Sequence, residues 1–350
     1  MARRPVAPSA DDHPDRDRRV ASFPDIHAEG EVLRGGPLTA LLWSGVLAAV
    51  SLVGVRWVDS SVGPVPVLQS MMPMTGVLVA VLVLSAAVTR RWRITAVAGV
   101  LLTVCAAIAV PTVFGHTVAP GRDDLVVMSA NLEYGGADAR ALVAATRKDR
   151  IDVLVLLEIT PAAVERLRVA GLDTLLPESV GQASQDAGGT VIRSRTPMTL
   201  VEPGLDQASA HAFNEPVVSI HRTAGDVVLR AVHLRPPGLW GAADWRSGLA
   251  DLQAWREGQP PGQPLVLAGD FNSSWGHPGF RRVAETMTDA HRAAGEGWVR
   301  TWPQGRRLIR PFIQLDHVLF RGLSVVDAGV VNLPKTDHAA VWARLSPHRP

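Results

Sequence analysis

Cysteine occurs once in the 350 residues, at Cys105, inside an uncharged stretch. No intramolecular disulfide can form, no cysteine cluster is available to a metal, and one thiol reveals nothing of the redox compartment. Lysine is almost as scarce, with Lys148 and Lys335 alone among arginines. Together with the abundance of Ala, Val, Gly and Pro, this is a composition expected of a high-GC bacterial genome. No internal repeat and no low-complexity block is present. Charge is missing over three long stretches, from Gly35 to Val55, Ser60 to Thr89 and Ile94 to Gly121. Each is long enough to cross a bilayer core of about 30 Å. A buried helix of a soluble bundle normally keeps a polar face, and none of these shows charge on any face. Three transmembrane helices are therefore expected, at about Leu38–Val55, Val67–Val88 and Ile94–Phe114. A cleaved signal peptide fits less well, because the first apolar run starts late and two more follow it.

The first 34 residues mix Asp and Arg with Pro5, Pro8 and Pro14. Such a segment cannot bury a core and reads as a disordered tail. Its arginines Arg3, Arg4, Arg16, Arg18, Arg19 and Arg34, and those between the second and third stretches, Arg90, Arg91 and Arg93, mark both segments as cytoplasmic under the positive-inside rule. The first connecting loop has only Arg56 and Asp59 nearby and belongs outside. Three crossings then place the C-terminal domain outside as well. The expected organisation is a cytoplasmic tail over 1–34, a three-helix membrane anchor over 35–116 and a catalytic domain over 117–350, in a multi-pass cell-membrane protein.

That domain has no charge excess. Ten arginines stand against eight acids before residue 117, and 25 basic against 25 acidic residues follow. A protein that grips long nucleic acid nonspecifically usually carries a basic surplus. Nucleic acid is thus not favoured as a partner, and no protein partner is inferable. From Leu125 short apolar runs alternate with turn residues. Strands are expected at 125–130, 152–157, 190–194, 216–221, 227–234, 265–268, 314–320, 324–331 and 339–345, with helices at 137–150, 161–170 and 243–258. Trp245, Leu249, Leu252 and Trp255 recur at helical spacing in the last of these. Many strands with interspersed helices fit an α/β sandwich of two sheets covered by helices.

Polar residues end several of the apolar strands, where scaffolds hand reactive groups to loops. The series is Asn131 in Ser-Ala-Asn-Leu, Glu158 in Leu-Leu-Glu-Ile-Thr, His233 in Ala-Val-His-Leu, Asp270 and Asn272 in Gly-Asp-Phe-Asn, Asp316 in Leu-Asp-His-Val-Leu, and Asp337 with His338 in Thr-Asp-His. Singly each has an ordinary structural explanation: a strand end, a turn, a satisfied histidine. Together, carboxylates, carboxamides and two histidines at strand ends are what phosphate-ester hydrolysis with a hard metal requires. Oxygen ligands suit Mg²⁺, and histidines serve proton transfer.

This ordered set resembles that of the endonuclease/exonuclease/phosphatase superfamily, over about Asp124 to Leu345. Gly269-Asp270-Phe271-Asn272, about 65 residues before Thr336-Asp337-His338, is its most specific part. The resemblance implies a four-layered α/β sandwich, two mainly antiparallel sheets flanked by helices. It implies that Glu158, with Asn131 and Asp337, holds Mg²⁺ or Mn²⁺, and that Asp270 orients or activates water while Asn272 positions it or the phosphate. His338 would contact the phosphoryl group, Asp316 would orient His338, and His233 would be an acid for the leaving oxygen.

The set departs from the family pattern in three places. Leu157 stands where many members have glutamine, Asn214 stands where some nucleases place a phosphate-binding arginine, and His233 has no obvious carboxylate partner. The segment Thr301-Trp302-Pro303 with Arg306, Arg307 and Arg310 reads either as a substrate loop, with a stacking indole and phosphate-seeking arginines, or as a solvated loop over a buried tryptophan. Trp240, Trp245 and Trp275 line a cleft or rim on the same reasoning, Trp245 fitting helix core better. The leading expectation is a membrane-tethered, extracytoplasmic hydrolase of phosphodiesters or phosphomonoesters. The alternatives are an extracellular DNA or RNA endonuclease, a hydrolase of lipid head groups, and a catalytically idle binding module.

Overall fold

The computed structural model describes residues 36–204, 212–238 and 241–348. The N-terminal tail and Trp240 lie outside these residues. Helix α1 (Pro37–Gly54) runs on through a 3₁₀ turn to Trp57, α2 (Pro64–Ser70) is followed by α3 (Met72–Val88), and α4 (Trp92–Ala109) ends in a 3₁₀ turn at Val110–Val113. Two spans are long and apolar enough to cross a membrane, Pro37–Trp57 and Trp92–Val113. The expected third is not one straight helix: α2 and α3 meet at 65° and reach a crossing length only as a bent pair. Pro73 explains the break, since it has no N–H to give and its ring would clash with the carbonyl of Gln69 in a continuous helix. The freed Gln69 carbonyl instead meets Gly276 of the C-terminal domain, so closely that a Cβ there would collide with it. The Gln69 side chain donates to the carbonyls of Val55 at 2.8 Å and Val58 at 2.7 Å, fastening the bend to the end of α1.

Leu42, Val46 and Ala49 of α1 pack with Val79 and Leu82 of α3 and with Ile94 and Ala98 of α4. Leu47, Leu84 and Val100 point outward and are exposed. Helices apolar on both the packed and the outer face are suited to lipid rather than water.

The C-terminal domain begins with β1 (Leu125–Asn131), α5 (Ala139–Lys148), β2 (Val153–Leu157), α6 (Pro161–Val169), α7 (Leu172–Leu175), β3 (Glu178–Gln182), β4 (Thr190–Ser194) and β5 (Met198–Glu202). It continues with β6 (Val217–Ile220), β7 (Val227–His233), α8 (Ala243–Glu257), β8 (Leu265–Asp270), α9 (Pro278–Val283), β9 (Thr288–Asp289), α10 (Ala290–Ala294), β10 (Asp316–Arg321), β11 (Leu323–Val331) and β12 (Ala340–Pro347). One sheet has the order β11-β12-β1-β2-β4-β3 and the other β5-β6-β7-β8-β10-β9. Both are mixed, because β1 and β2 are parallel, as are β7 and β8, while the neighbouring pairs are antiparallel.

Period-two alternation makes the layers. Val127, Val155, Leu229, Val266, Val318 and Val341 fill the space between the sheets. Met128, Leu154 and Leu156 face α5 and α6, and Leu265, Leu267 and Leu319 face α8 and α9. The helices start where local chemistry allows. Asp138 caps α5 by accepting from the Ala141 N–H at 3.0 Å. Thr160 caps α6 with Pro161 at its first position, where no N–H is needed.

Helices and domain are fastened together on one side. Asp59 accepts from Arg246 at 2.7 Å and Arg282 at 2.9 Å, the Gly297 N–H donates to Thr112, and Arg56 donates to the Trp275 carbonyl. Buried His277 accepts from the Ser274 N–H at Nδ1, so its Nε2–H donates to the Pro66 carbonyl at 2.8 Å. Burial pushes this imidazole down to about 4. Its folded pKa lies below the usual 6.5, so the unfolded chain takes up a proton that the folded chain refuses. The stabilisation is complete above about pH 6.5 and lost as pH falls toward 4. Between pH 5 and 6, His277→Gln is expected to remove up to about 1.4 kcal/mol per pH unit from the slope of unfolding free energy. Chemical denaturation of the full chain in detergent reads that slope.

Candidate active site

The strand directions collect the polar strand ends at one edge. β1 and β2 are parallel, as are β7 and β8, so Asn131, Glu158, His233 and Asp270 leave the sheets at the same edge, His233 opposite Asp270 in register. β10 is antiparallel to β8 and begins there, with Asp316 opposite Asp270. β12 is antiparallel to β1, which brings Asp337 and His338, just before it, to the same edge. Gly269 faces the Val232 backbone too closely for any Cβ, which accounts for glycine ahead of Asp270.

Asn131 links the two sheets. Its Nδ2 donates to Glu158 Oε1 at 3.0 Å and Asp270 Oδ2 at 3.2 Å, while its Oδ1 accepts from the Glu133 N–H at 3.0 Å. Glu158 has φ +52°, an unusual backbone for a non-glycine residue. Its Oε2 accepts from the Tyr134 N–H at 3.0 Å. Asp270 Oδ1 accepts from the Asn272 N–H at 2.8 Å, and the Asn272 amide donates to the Leu234 carbonyl at 2.8 Å.

His338 Nδ1 lies 2.8 Å from Asp316 Oδ2, and its Nε2 lies 3.7 Å from Asp270 Oδ2 and 4.0 Å from Asp337 Oδ1. Burial opposes charge on this ring, but Asp316 and Asp270 outweigh it and raise its pKa to about 10. Burial raises the Asp270 carboxyl to about 7 against the pull of His338. Ligand atoms of Asp270, Asp316 and His338 lie within 4.8 Å of one another, close enough to surround a cation. A protonated imidazole has no lone pair for a metal, and Asp316 and Asp270 favour that charged form of His338.

Beside that group Asn131 bonds to Glu158 and to the Glu133 N–H, and Glu133 is within electrostatic reach of Asp337 and Glu158; oxygen donors of this kind are the type a hard cation takes. Burial raises the Glu133 carboxyl, and Asp337 and Glu158 push it further, against Arg306. Asn131 Oδ1 keeps a second lone pair beside its bond to Glu133.

His233 stacks on Phe213 at 4.4 Å and lies 3.8 Å from Glu158 Oε1, too far for a hydrogen bond. Burial and then His338 lower its pKa to about 3, and its Nδ1 has no partner. Trp302 donates from Nε1 to Asp337 Oδ2 at 3.2 Å, and Arg306 lies 3.7 Å from the same oxygen. Arg307 is exposed and makes no hydrogen bond or ion pair among the described residues. Trp245 is buried in the core and donates to the Asn272 carbonyl at 3.1 Å. Trp275 packs against Phe280, away from the strand-end cluster.

Several contributors escape a reading of the sequence. Glu133 looks like an ordinary loop acid. Glu215 Oε1 accepts from the His233 N–H at 2.8 Å, and its Oε2 from Arg230 at 2.7 Å. The signal was present in Arg230, a charge inside the apolar run Val-Val-Leu-Arg-Ala-Val. Asp289 pairs with His317 Nδ1 at 2.8 Å, and His317 Nε2 meets the Ser273 carbonyl at 3.0 Å, supporting the turn after Asn272. Arg235 lies over the Phe213 ring at 5.1 Å. With Asn214 and Tyr134 it borders a cleft of about 1160 Å³.

Two mixed sheets lie between helices, and carboxylates, carboxamides and histidines from both converge at one edge. Residues 128–338 match the endonuclease/exonuclease/phosphatase family, and the chain belongs to that family. No curated protein sequence matches the chain. Among solved structures, D. rerio TDP2 complexed with single strand DNA product is 15% identical and aligns over 64% of this chain and 99% of its own, at TM-score 0.52. A humanized D. rerio TDP2 carrying 14 mutations is 16% identical over the same shares, at TM-score 0.50. These likenesses concern the fold.

Proposed function

We propose that this protein hydrolyses a phosphodiester or phosphomonoester with a divalent cation, Mg²⁺ or Mn²⁺, held by Glu158, Asn131 and Asp337 with Glu133 close by. The observation that carries the reading is the Asp316–His338 pair at 2.8 Å, placed beside Asp270 and the Asn131–Glu158 contact. When bound, the cation polarises a phosphoryl oxygen and neutralises its charge. Asp270, raised toward neutral pH, accepts the proton of the attacking water, and Asn272 fixes that carboxylate through its N–H. His338, charged and held by Asp316, donates from Nε2 to the phosphoryl oxygens as negative charge grows on them. His233 is neutral and offers a hydrogen bond near the leaving oxygen. Trp302 and Arg306 steer Asp337, while Arg235 contributes the positive charge that Asn214 does not.

The domain over 117–350 is tethered outside the cytoplasm by membrane helices. The positive-inside distribution supports this, and so does the contact of the α1 end, the α2 bend and the α4 end with the domain on one side. The balanced charge of the domain argues against nonspecific binding to long nucleic acid, and every reactive position filled argues against an idle module.

The test is turnover by the full chain in detergent against DNA, RNA, bis(p-nitrophenyl) phosphate, inositol phosphates and phospholipids, with Asp270→Ala as control. Turnover lost in Asp270→Ala supports the reading and names the substrate class. A folded protein inactive on the whole panel contradicts it. Protease protection in intact cells tests the side.

A further inference from the structure

Three arginines, Arg56, Arg281 and Arg292, surround Trp275, and none of them forms an ion pair with a carboxylate among the described residues. Arg56 donates to the Trp275 carbonyl. Arg281 donates to the carbonyls of Trp275 at 3.1 Å, Gly276 at 2.8 Å and Arg56 at 2.8 Å. Arg292 lies over the Trp275 ring at 4.1 Å. The nearest acid, Asp289, is committed to His317, to the Trp275 indole and to the backbone N–H groups of His291 and Arg292. Asp289 compensates Arg292 only through space, while Arg281 and Arg292 both oppose the charge on Arg56; clustered guanidiniums that hydrogen-bond only to carbonyls keep an excess of positive charge, and burial makes that costly.

Beside them opens a cavity of about 440 Å³ with two unlike ends. One end is a groove between α3 and α4, floored by Gly76, Ala80, Leu102 and Ala106. Small residues keep it open, and Val77 on its rim is 52% exposed, so it faces the surroundings of the helices. The other end, against the C-terminal domain, carries Arg56, Arg292, Ser274 and Gln314 among Trp275, Trp298, Val299 and Ile313. The volume falls within the range of sites that enclose small ligands. An apolar trough in the membrane-facing helices leading to unpaired guanidiniums matches an amphiphile with an anionic head.

We propose that this cavity binds one anionic phospholipid, with an acyl chain in the α3–α4 groove and its phosphate between Arg56 and Arg292. The inference rests on the membrane reading above, though not on hydrolysis. Ser274 follows Asn272 by two residues and Gln314 precedes Asp316 by two, so the lipid also braces the segments that carry those side chains.

The experiment is native mass spectrometry and thermal unfolding of the full chain, delipidated in detergent with EDTA to prevent turnover. Phosphatidylglycerol and phosphatidylcholine are added separately, and Ala106→Phe and Arg292→Gln are compared with the parent. One retained phosphatidylglycerol per chain, phosphatidylcholine at least tenfold weaker, and at least tenfold loss in both variants are expected. Equal retention of the two lipids, unchanged binding in both variants, or a second copy of the chain in place of lipid would overturn the proposal. Membrane flotation and hydrolysis of bis(p-nitrophenyl) phosphate by Ala106→Phe separate the causes. A parent chain that floats and hydrolyses yet retains no phosphatidylglycerol refutes this inference alone, whereas a parent chain that does not float refutes it together with the membrane reading.

Discussion

Replacing His338 with glutamine is expected to lower kcat/KM for phosphoester hydrolysis by about 10²–10⁴-fold, the usual worth of a positioned proton-transfer group. The geometry explains why so much rests on one ring. Nδ1 is tied to Asp316 at 2.8 Å, which leaves Nε2 directed at the space between Asp270 and Asp337. Two buried carboxylates hold the proton on the ring despite desolvation, so a cationic donor waits where phosphoryl charge develops. Glutamine keeps a donor toward Asp316 and loses the charge, which separates catalysis from folding. Alanine would leave Asp316 buried without its partner and confound the two. A circular dichroism melt close to the parent's, together with the loss in rate, meets the expectation. Activity within threefold of the parent would remove His338 from the mechanism.

The second large effect is on stability. Glu215→Ala is expected to destabilise the protein by about 3–5 kcal/mol, because it leaves Arg230 charged and unpaired in the middle of β7. Both partners are buried, at 1% and 5% exposure, so water cannot replace the carboxylate. The same change frees the His233 N–H, adding about 1–3 kcal/mol for an unsatisfied donor. The double variant Glu215→Leu/Arg230→Met removes both charges and should recover most of the pair's cost, though not that of the His233 N–H. Denaturant unfolding of the three proteins decides the matter, and a Glu215→Ala midpoint equal to the parent's would show that Arg230 finds another partner.

Much of the domain's architecture was legible in the sequence because its central strands are apolar on both faces and end abruptly. Thr190–Ser194 was expected at those bounds, and β1, β2, β7 and β8 differ from expectation by one or two residues at an end. Strands β3 and β5 were missed for a physical reason. Their residues are mostly exposed, so no apolar alternation marks them. Strand β10 starts two residues late because Thr301 Oγ1 takes the N–H groups of Leu315 at 3.0 Å and Asp316 at 3.3 Å. Hydropathy alone gave a third straight crossing where Pro73 imposes a bend. Within the site, a polar residue closing an apolar run was visible for Asn131, Glu158, His233 and Asp270, and one opening such a run for Asp316. Glu133, Glu215 and Asp289 were not, because each matters only through a partner distant in the chain or through loop geometry.

The central claim is that Glu158 and its neighbours hold a divalent cation needed for phosphoester hydrolysis. The most direct measurement is turnover of bis(p-nitrophenyl) phosphate during a Mg²⁺ titration after EDTA treatment, for the parent and Glu158→Gln side by side. The account predicts that EDTA abolishes parental turnover, that Mg²⁺ restores it with saturation, and that Glu158→Gln stays at least 10²-fold below the parent at the same Mg²⁺ concentration, about 2.7 kcal/mol of lost transition-state stabilisation. Turnover that persists in EDTA, or a Glu158→Gln protein as active as the parent, would contradict it.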